Sequence, residues 1–156
     1  MLVLGGLAAD EKQGKQMAEL TLASGKSLAK FRDLVNAQGG DARYVDEPAR
    51  FPKASWIVNI ESPHSGYLSM INAREVGETS VLLGGGREKK GDPIDYSVGV
   101  VVEHKVGDRV SKGDLLFTIH ANDERKLNMA VDKMLKAHQW SEKPVNPLPL
   151  YYGTIR

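Results

Sequence analysis

The sequence predicts an α+β fold, in which two helices precede a β-rich region that carries an inserted helix. Three observations carry this. Apolar residues recur at helical spacing early in the chain, at Met17 and Leu20 and then at Leu28, Phe31, Leu34 and Val35. From Ser55 the pattern changes to strand alternation, with Trp56, Val58 and Ile60 against Ser55, Ile57 and Asn59. Two Gly-Asp pairs, Gly107-Asp108 and Gly113-Asp114, then punctuate an apolar stretch at turn positions.

Asp10 or a neighbour opens the first helix, and Gly25 ends it. The second runs from about Lys26 to Ala37 and stops at Gly39-Gly40. Each has a narrow apolar face and is too short to stand alone in water. Residues 41–52, with two prolines and mixed charge, read as a linker. Trp56 to Ile60 is a strand, Pro63 and Gly66 form a turn, and Tyr67 to Ile71 is a second strand. Asn72 caps a short helix, with Glu75 in the capping-box position, and Gly84-Gly85-Gly86 closes it. Val98 to His104 is apolar on both faces and reads as a strand buried on both sides. Leu115 to His120 is a further strand. From Asp123 to about Gln139 the helical period returns, with Leu127, Ala130, Val131, Met134, Leu135 and His138 on one face, capped by Asn122 or Asp123. The tail, with Pro144, Pro147, Pro149, Tyr151, Tyr152 and Ile155, reads as extended and edge-lying, a last strand.

Composition excludes several classes. The 156 residues suit one domain, or one domain with a helical appendage. Lys plus Arg is 21 and Asp plus Glu is 20, and the net charge of +1 argues against a nucleic-acid-coating protein. The chain has no cysteine, so it carries no disulfide, thiolate zinc site or cysteine nucleophile. No apolar run approaches the roughly 20 residues of a membrane span. The start, MLVLGGLAADEKQ, lacks a basic n-region, so a cytoplasmic protein without nucleic-acid or membrane partners is expected. The apolar tripeptide Leu2 to Leu4 reads either as a docked terminal segment or as a chain cut inside a larger protein.

Catalytic motifs are absent. His64, His104, His120 and His138 lack metal-ligand spacing, and no Gly-x-Ser-x-Gly elbow occurs. Gly84-Gly85-Gly86-Arg87, followed by Lys89 and Lys90, invites a phosphate reading. Phosphate loops precede a helix, where the positive end of the dipole meets the anion. These glycines follow one, so helix termination is the favoured reading. Gly5-Gly6 and Gly39-Gly40 lack the context of a phosphate loop.

The stretch VEHKVGDRVSKGDLLFTIHAND resembles the half-motif of biotinyl and lipoyl carrier domains, and SGYLSMI (Ser65 to Ile71) resembles their other leading strand. The lysine that carries the prosthetic group has no counterpart here. About 25 residues bearing a helix stand between the two halves instead. AQGGD (Ala37 to Asp41), LLGGGR (Leu82 to Arg87) leading into IDYSVG (Ile94 to Gly99), and the Gly-Asp turns together resemble the C-terminal part of pyrimidine-nucleoside phosphorylases, the family that includes thymidine phosphorylase.

That resemblance implies an α/β-hammerhead, or barrel-sandwich hybrid, over residues 51–156. It implies that residues 1–41 are helices belonging to the large domain of an intact enzyme. The implied activity is a pentosyltransferase of nucleoside salvage, a cytoplasmic homodimer. Such an enzyme cleaves thymidine, uridine or deoxyuridine with inorganic phosphate, giving base and pentose 1-phosphate. The family's phosphate and base sites lie in its N-terminal two thirds. No catalytic, substrate-binding or metal-ligating residue is therefore assigned here, and no cofactor is implied. Within this chain the Gly84–Asp92 loop is the segment that could reach the cleft, with Arg87, Lys89 and Lys90 as candidates, although a solvated basic loop is the favoured reading. Without the missing domains, the helices of residues 1–40 are expected to be either the most mobile part or a homodimer contact. The alternative from another class is a stand-alone, carrier-like interaction module.

Overall fold

A computed structural model describes residues 1–150, 152 and 153. It divides into two compact units, residues 1–51 and 52–156.

The first unit is helical. Its opening residues form a single turn, with Gly5 N–H donating to Met1 O and Leu7 N–H to Leu2 O. Helix α1 spans Glu11–Ala23. Its cap is Asp10, whose Oδ1 accepts from Gln13 N at 2.7 Å, while Gln13 Oε1 accepts from Ala9 N. Helix α2 spans Lys26–Ala37. The expected linker holds structure of its own, a short helix α3 (Arg43–Asp46) and a 3₁₀ turn (Pro48–Arg50). Tyr44 and Phe51 place their rings 4.8 Å apart there. Arg32 forks onto Asp46, and Arg43 onto Asp41. Asp41 is held down to about 2 by the Arg43 guanidinium and backbone N–H. These pairs are exposed, and such pairs contribute little to stability. Within residues 1–51 only Ala8 and Gly14 are buried, whereas Leu20 is 70% exposed and Leu34 54%.

Among its described residues the second unit holds six strands in two antiparallel sheets of three. β1 (Trp56–Glu61), β5 (Leu115–Ala121) and β3 (Gly99–Val102) form one sheet, with β5 in the middle. β4 (Arg109–Val110), β2 (Gly66–Ile71) and β6 (His138–Ser141) form the other, with β2 in the middle. Helix α4 (Ala73–Leu83) follows β2, and α5 (Glu124–Lys136) follows β5. Both helices start as the residues dictate: Asn72 Oδ1 accepts from Glu75 N, and Asp123 Oδ1 from Lys126 N. One core joins the sheets and helices. Phe117, Leu116 and Ile119 from β5 meet Leu68 from β2, Val110 from β4, Leu83 from α4 and Leu127, Ala130 and Met134 from α5. Lys133 of α5 ties the helices together, reaching Glu75 at 2.7 Å and Glu78 at 2.8 Å.

The α+β class stands, and besides the linker four element readings change. The strand expected from Val98 to His104 is shorter and lies at a sheet edge. Val101 is 47% exposed, so the strand buried on both sides is β5 instead. The last helix stops at Lys136 rather than near Gln139. His138 sits four residues beyond Met134 and so matched the helical stripe, but its backbone pairs with Ile71 in β6. The two-residue β4 was not foreseen. The tail forms no strand over residues 142–150, where prolines deny the ladder its donors. Tyr151 and Ile155 lie outside the described residues.

The two Gly-Asp turns share one construction. Asp108 N–H donates to Lys105 O, and Asp108 Oδ2 accepts from Lys105 N at 2.8 Å. Asp114 repeats both bonds with Ser111. Gly107 and Gly113 have φ of 97° and 93°, the region glycine favours. Gly107 meets a second demand, because a Cβ there would lie 2.9 Å from Pro147 N and 3.0 Å from Val145 O. A Cβ on Gly113 would meet only Glu61 Oε2, at 4.0 Å. Replacing Gly113 with valine is therefore expected to cost about 1–2 kcal/mol from backbone strain. Gly107→Val should cost more, about 3 kcal/mol or above, because the tail must also move. Denaturant midpoints of the two variants check the order. Equal midpoints would mean that the tail does not rest on this turn.

His138 is 4% exposed. Its Nδ1 lies 2.7 Å from Met134 O, its ring stacks on Phe117, and its Nε2 has no partner among the described residues. Burial pushes its pKa below the ordinary 6.5, against a smaller opposing effect of the Met134 carbonyl. The neutral ring is the folded form, while the unfolded chain binds the proton. Stability from this site is thus complete above about pH 6.5 and is lost as pH falls toward the depressed value. His138→Phe should flatten that part of the thermal-stability profile between pH 7.5 and 5. An unchanged slope would assign the acid sensitivity to other groups.

Candidate functional site: the Gly84–Asp95 loop

Gly84 ends α4 in the left-handed conformation, at φ 108°. Its N–H donates to Val81 O, and Gly85 N–H reaches back to Ser80 O, so the helix's last carbonyls are satisfied by the glycines. The chain departs from the negative end of a helix, as the residue order implies, and this is no phosphate loop of the usual kind. At the tip, Lys89-Lys90-Gly91-Asp92 repeats the Gly-Asp construction. Asp92 Oδ2 accepts from Lys89 N at 2.7 Å, Asp92 N–H donates to Lys89 O, and Gly91 has φ 98°. Arg87 Nε donates to Asp92 O at 3.2 Å. The side chains of Lys89 and Lys90 are exposed and form no ion pair among the described residues.

The loop closes at its root, where Asp95 N–H donates to Gly84 O at 2.9 Å. Asp95 then gathers a polar node. Its Oδ1 accepts from the Ser97 hydroxyl at 2.6 Å and from Ser97 N at 2.9 Å, and its Oδ2 from Asn122 Nδ2 at 2.7 Å. Asn122 Nδ2 also lies 2.8 Å from Ser97 Oγ, while its Oδ1 accepts from Ser55 N at 2.7 Å. The Ser97 hydroxyl, the Ser97 N–H and the Asn122 amide hold the Asp95 carboxyl below the usual range. A cleft of about 350 Å³ opens beside the node, lined by Leu83, Pro93, Ile94, Asp95, Asn122 and Lys126.

Arg87, Lys89 and Lys90 therefore share one loop, and the histidines do not converge on a metal site. His64 and His138 flank Trp140, with centroids at 5.1 and 6.3 Å, while His104 lies 3.7 Å from Asp108. No group of three potential metal ligands occurs among the described residues. No helix among them is long and apolar enough to cross a membrane. The Asp95–Ser97–Asn122 node was missed from the sequence. Its one local signal is Asp-x-Ser, a pattern in which an Asp side chain takes the N–H two residues on. Asn122 gave no signal beyond a capping option, which Asp123 fills.

The family "Pyrimidine nucleoside phosphorylase C-terminal domain" matches residues 67–141, a span that runs from β2 through β6 and contains the whole loop. Pyrimidine-nucleoside phosphorylase of Geobacillus stearothermophilus is 37% identical over 155 residues, which is 99% of this chain and 36% of that protein. The chain belongs to the pyrimidine-nucleoside phosphorylase family. The Bacillus subtilis (strain 168) phosphorylase is 40% identical over 124 residues, covering 80% of this chain and 29% of its own length. That of Staphylococcus epidermidis is 40% identical over 122 residues, covering 78% of this chain and 28% of its own length. The chain thus spans about a third of the length of the curated relatives it matches.

Exposed side chains without partners carry little folding energy. Alanine at Lys89 or Lys90 is expected to shift stability by less than about 0.5 kcal/mol. Asp92→Ala, which unties the tip, should also spare the global midpoint while raising amide exchange at residues 87–92. A global loss from Lys89→Ala or Lys90→Ala would show a contact that the loop lacks here.

Proposed function

We propose that this chain is the C-terminal part of an enzyme that uses inorganic phosphate to split thymidine, uridine or deoxyuridine. The carrying observation is the 37% identity along 99% of the chain to one third of a pyrimidine-nucleoside phosphorylase. In this reading a phosphate oxygen bonds to the anomeric carbon as the N-glycosidic bond breaks. The base leaves with the bond pair and a proton, and pentose 1-phosphate remains. The phosphate- and base-binding groups belong to regions of the enzyme outside this chain. The enzyme is a cytoplasmic homodimer.

Residues 52–156 are the α/β-hammerhead of this enzyme. Two three-stranded sheets around one core, with α4 and its loop between β2 and β3, support that assignment. Residues 1–51 are the helical segment that packs on the large domain. The exposed Leu20, Leu28, Phe31 and Leu34 support it, because large apolar side chains left uncovered on two neighbouring helices suit a surface that another part of the protein covers. The hammerhead scaffolds the large domain, and the Gly84–Asp92 loop flanks the cleft. Holding phosphate and sugar in attack geometry with water excluded is what such a reaction requires of its surroundings.

The full-length enzyme should release thymine or uracil only when phosphate is present, with pentose 1-phosphate formed in equal amount. The isolated 156-residue chain should release none at any phosphate concentration. No phosphate-dependent release from the full-length protein, or steady turnover by the isolated chain, would overturn the assignment.

A further inference from the structure

The loop's basic tip is held by purely local bonds, and its place on the protein is decided elsewhere. Its outgoing leg leaves the rigid end of α4. Its return leg, Pro93 to Val98, crosses to the sheet of β1, β5 and β3. Besides the backbone bond from Asp95 N–H to Gly84 O, the side chain that anchors it there is Asn122. Asn122 follows directly on β5, and its amide makes three bonds that join two backbone segments: the entry to β1 at Ser55, and the loop's return leg at both Asp95 and Ser97. Both ends of the amide are used, so no rotated arrangement keeps all three bonds. The bond to Asp95 is charge-assisted, and such bonds are about twice as strong as neutral ones.

We propose that Asn122 is a positioning residue, holding the loop's return leg against the β1–β5 corner so that Arg87, Lys89 and Lys90 stand at a fixed place beside the substrate cleft. The mention of the cleft rests on the phosphorylase reading; the anchoring does not. Asp95 and Ser97 act with Asn122 and carry the restraint into the loop. The nearby charges are Asp123, engaged in capping α5, and Lys126, which lines the same cleft.

An Asn122→Asp substitution tests this with little change in shape. The new carboxylate still accepts from Ser55 N, but it turns an oxygen toward Asp95 Oδ2 where a donor stood. At pH 8 the two carboxylates repel. At lower pH one shared proton can restore the bridge, since neighbouring carboxylates raise one another's affinity for it. In the full-length protein, amide exchange of residues 85–98 should rise about tenfold at pH 8 and return toward wild type near pH 5, after correction for intrinsic rates. Asn122→Ala should rise similarly without recovery. Ser97→Ala, which keeps the Asn122–Asp95 bond, should rise less. Unchanged exchange in Asn122→Ala, or a rise spread evenly over the chain, overturns the anchoring role.

Kinetics test the second half. Release of the loop should raise KM for phosphate or nucleoside several-fold, with the same recovery on acidification in Asn122→Asp. Local release with unchanged kinetics means the loop is held but does not serve the cleft, which overturns the positioning role. Failure of the phosphorylase reading is separate, because it appears as absent activity in the wild-type protein, whatever the exchange shows.

Discussion

Two short turns determine the second unit. The chain passes from β3 in one sheet to β4 in the other and back to β5, and each passage is a Gly-Asp turn. Each is also tied by backbone bonds to a strand or strand end far away in sequence. Gly107 N–H donates to Leu68 O, and Leu68 N–H to Asp108 O. Gly113 N–H donates to Ser62 O, and Ser62 N–H to Asp114 O. Ser62 is buried, yet every polar group it has is used, since its hydroxyl donates to His64 O and accepts from Trp140 Nε1. The left-handed glycines let the chain make these bonds with little strain. Across these turns Leu68, Val110 and Phe117 meet in one core.

The same local chemistry builds the functional candidate, with a different outcome. Lys89 to Asp92 has the hydrogen bonds of the other two turns and a glycine of nearly the same φ. It lacks their bonds to a distant strand among the described residues, and nothing stands within 4 Å of where a Gly91 Cβ would be. A turn that is tied builds the core. A turn that is not tied presents charge, and its position falls to the node at Asp95, Ser97 and Asn122. The loop is thus ordered locally at the tip and tertiarily at the root.

What was legible in the sequence follows this division between local and distant causes. Helix α2 appears with both ends as read, and Asn72 and Asp123 cap as expected, because caps act within four residues; Glu75 closes no capping box, since Asn72 N–H donates to Ala137 O and the Glu75 carboxylate takes Lys133. The Gly-Asp turns were legible for the same reason. β4 and β6 were not, since two and four residues carry too little pattern and become strands only by pairing with β2. Val101 shows the converse: its apolar side chain suggested burial, but an edge strand offers it no neighbour on one face. The node was invisible because Ser55, Asp95 and Asn122 meet only after β1 and β5 pair.

The two units differ in kind rather than in degree. Residues 52–156 have a core, satisfied turns and a polar tie between helices, which is the consistency across levels that specifies one structure. Residues 1–51 have helices of which α1 alone carries a side-chain cap, and two buried residues. Their ion pairs are exposed, and exposed pairs do not offset the entropy of ordering about fifty residues at roughly 1–2 kcal/mol each. Helices that form where their sequence places them yet bury almost nothing mark a segment whose packing is unfinished. The hollow of about 400 Å³ bounded by Leu28, Phe31, Val35, Tyr44, Val45 and Phe51 is the shape of that deficit. The phosphorylase reading supplies what fills it, the large domain of the same enzyme. The helices then complete a neighbouring core and have little of their own to protect.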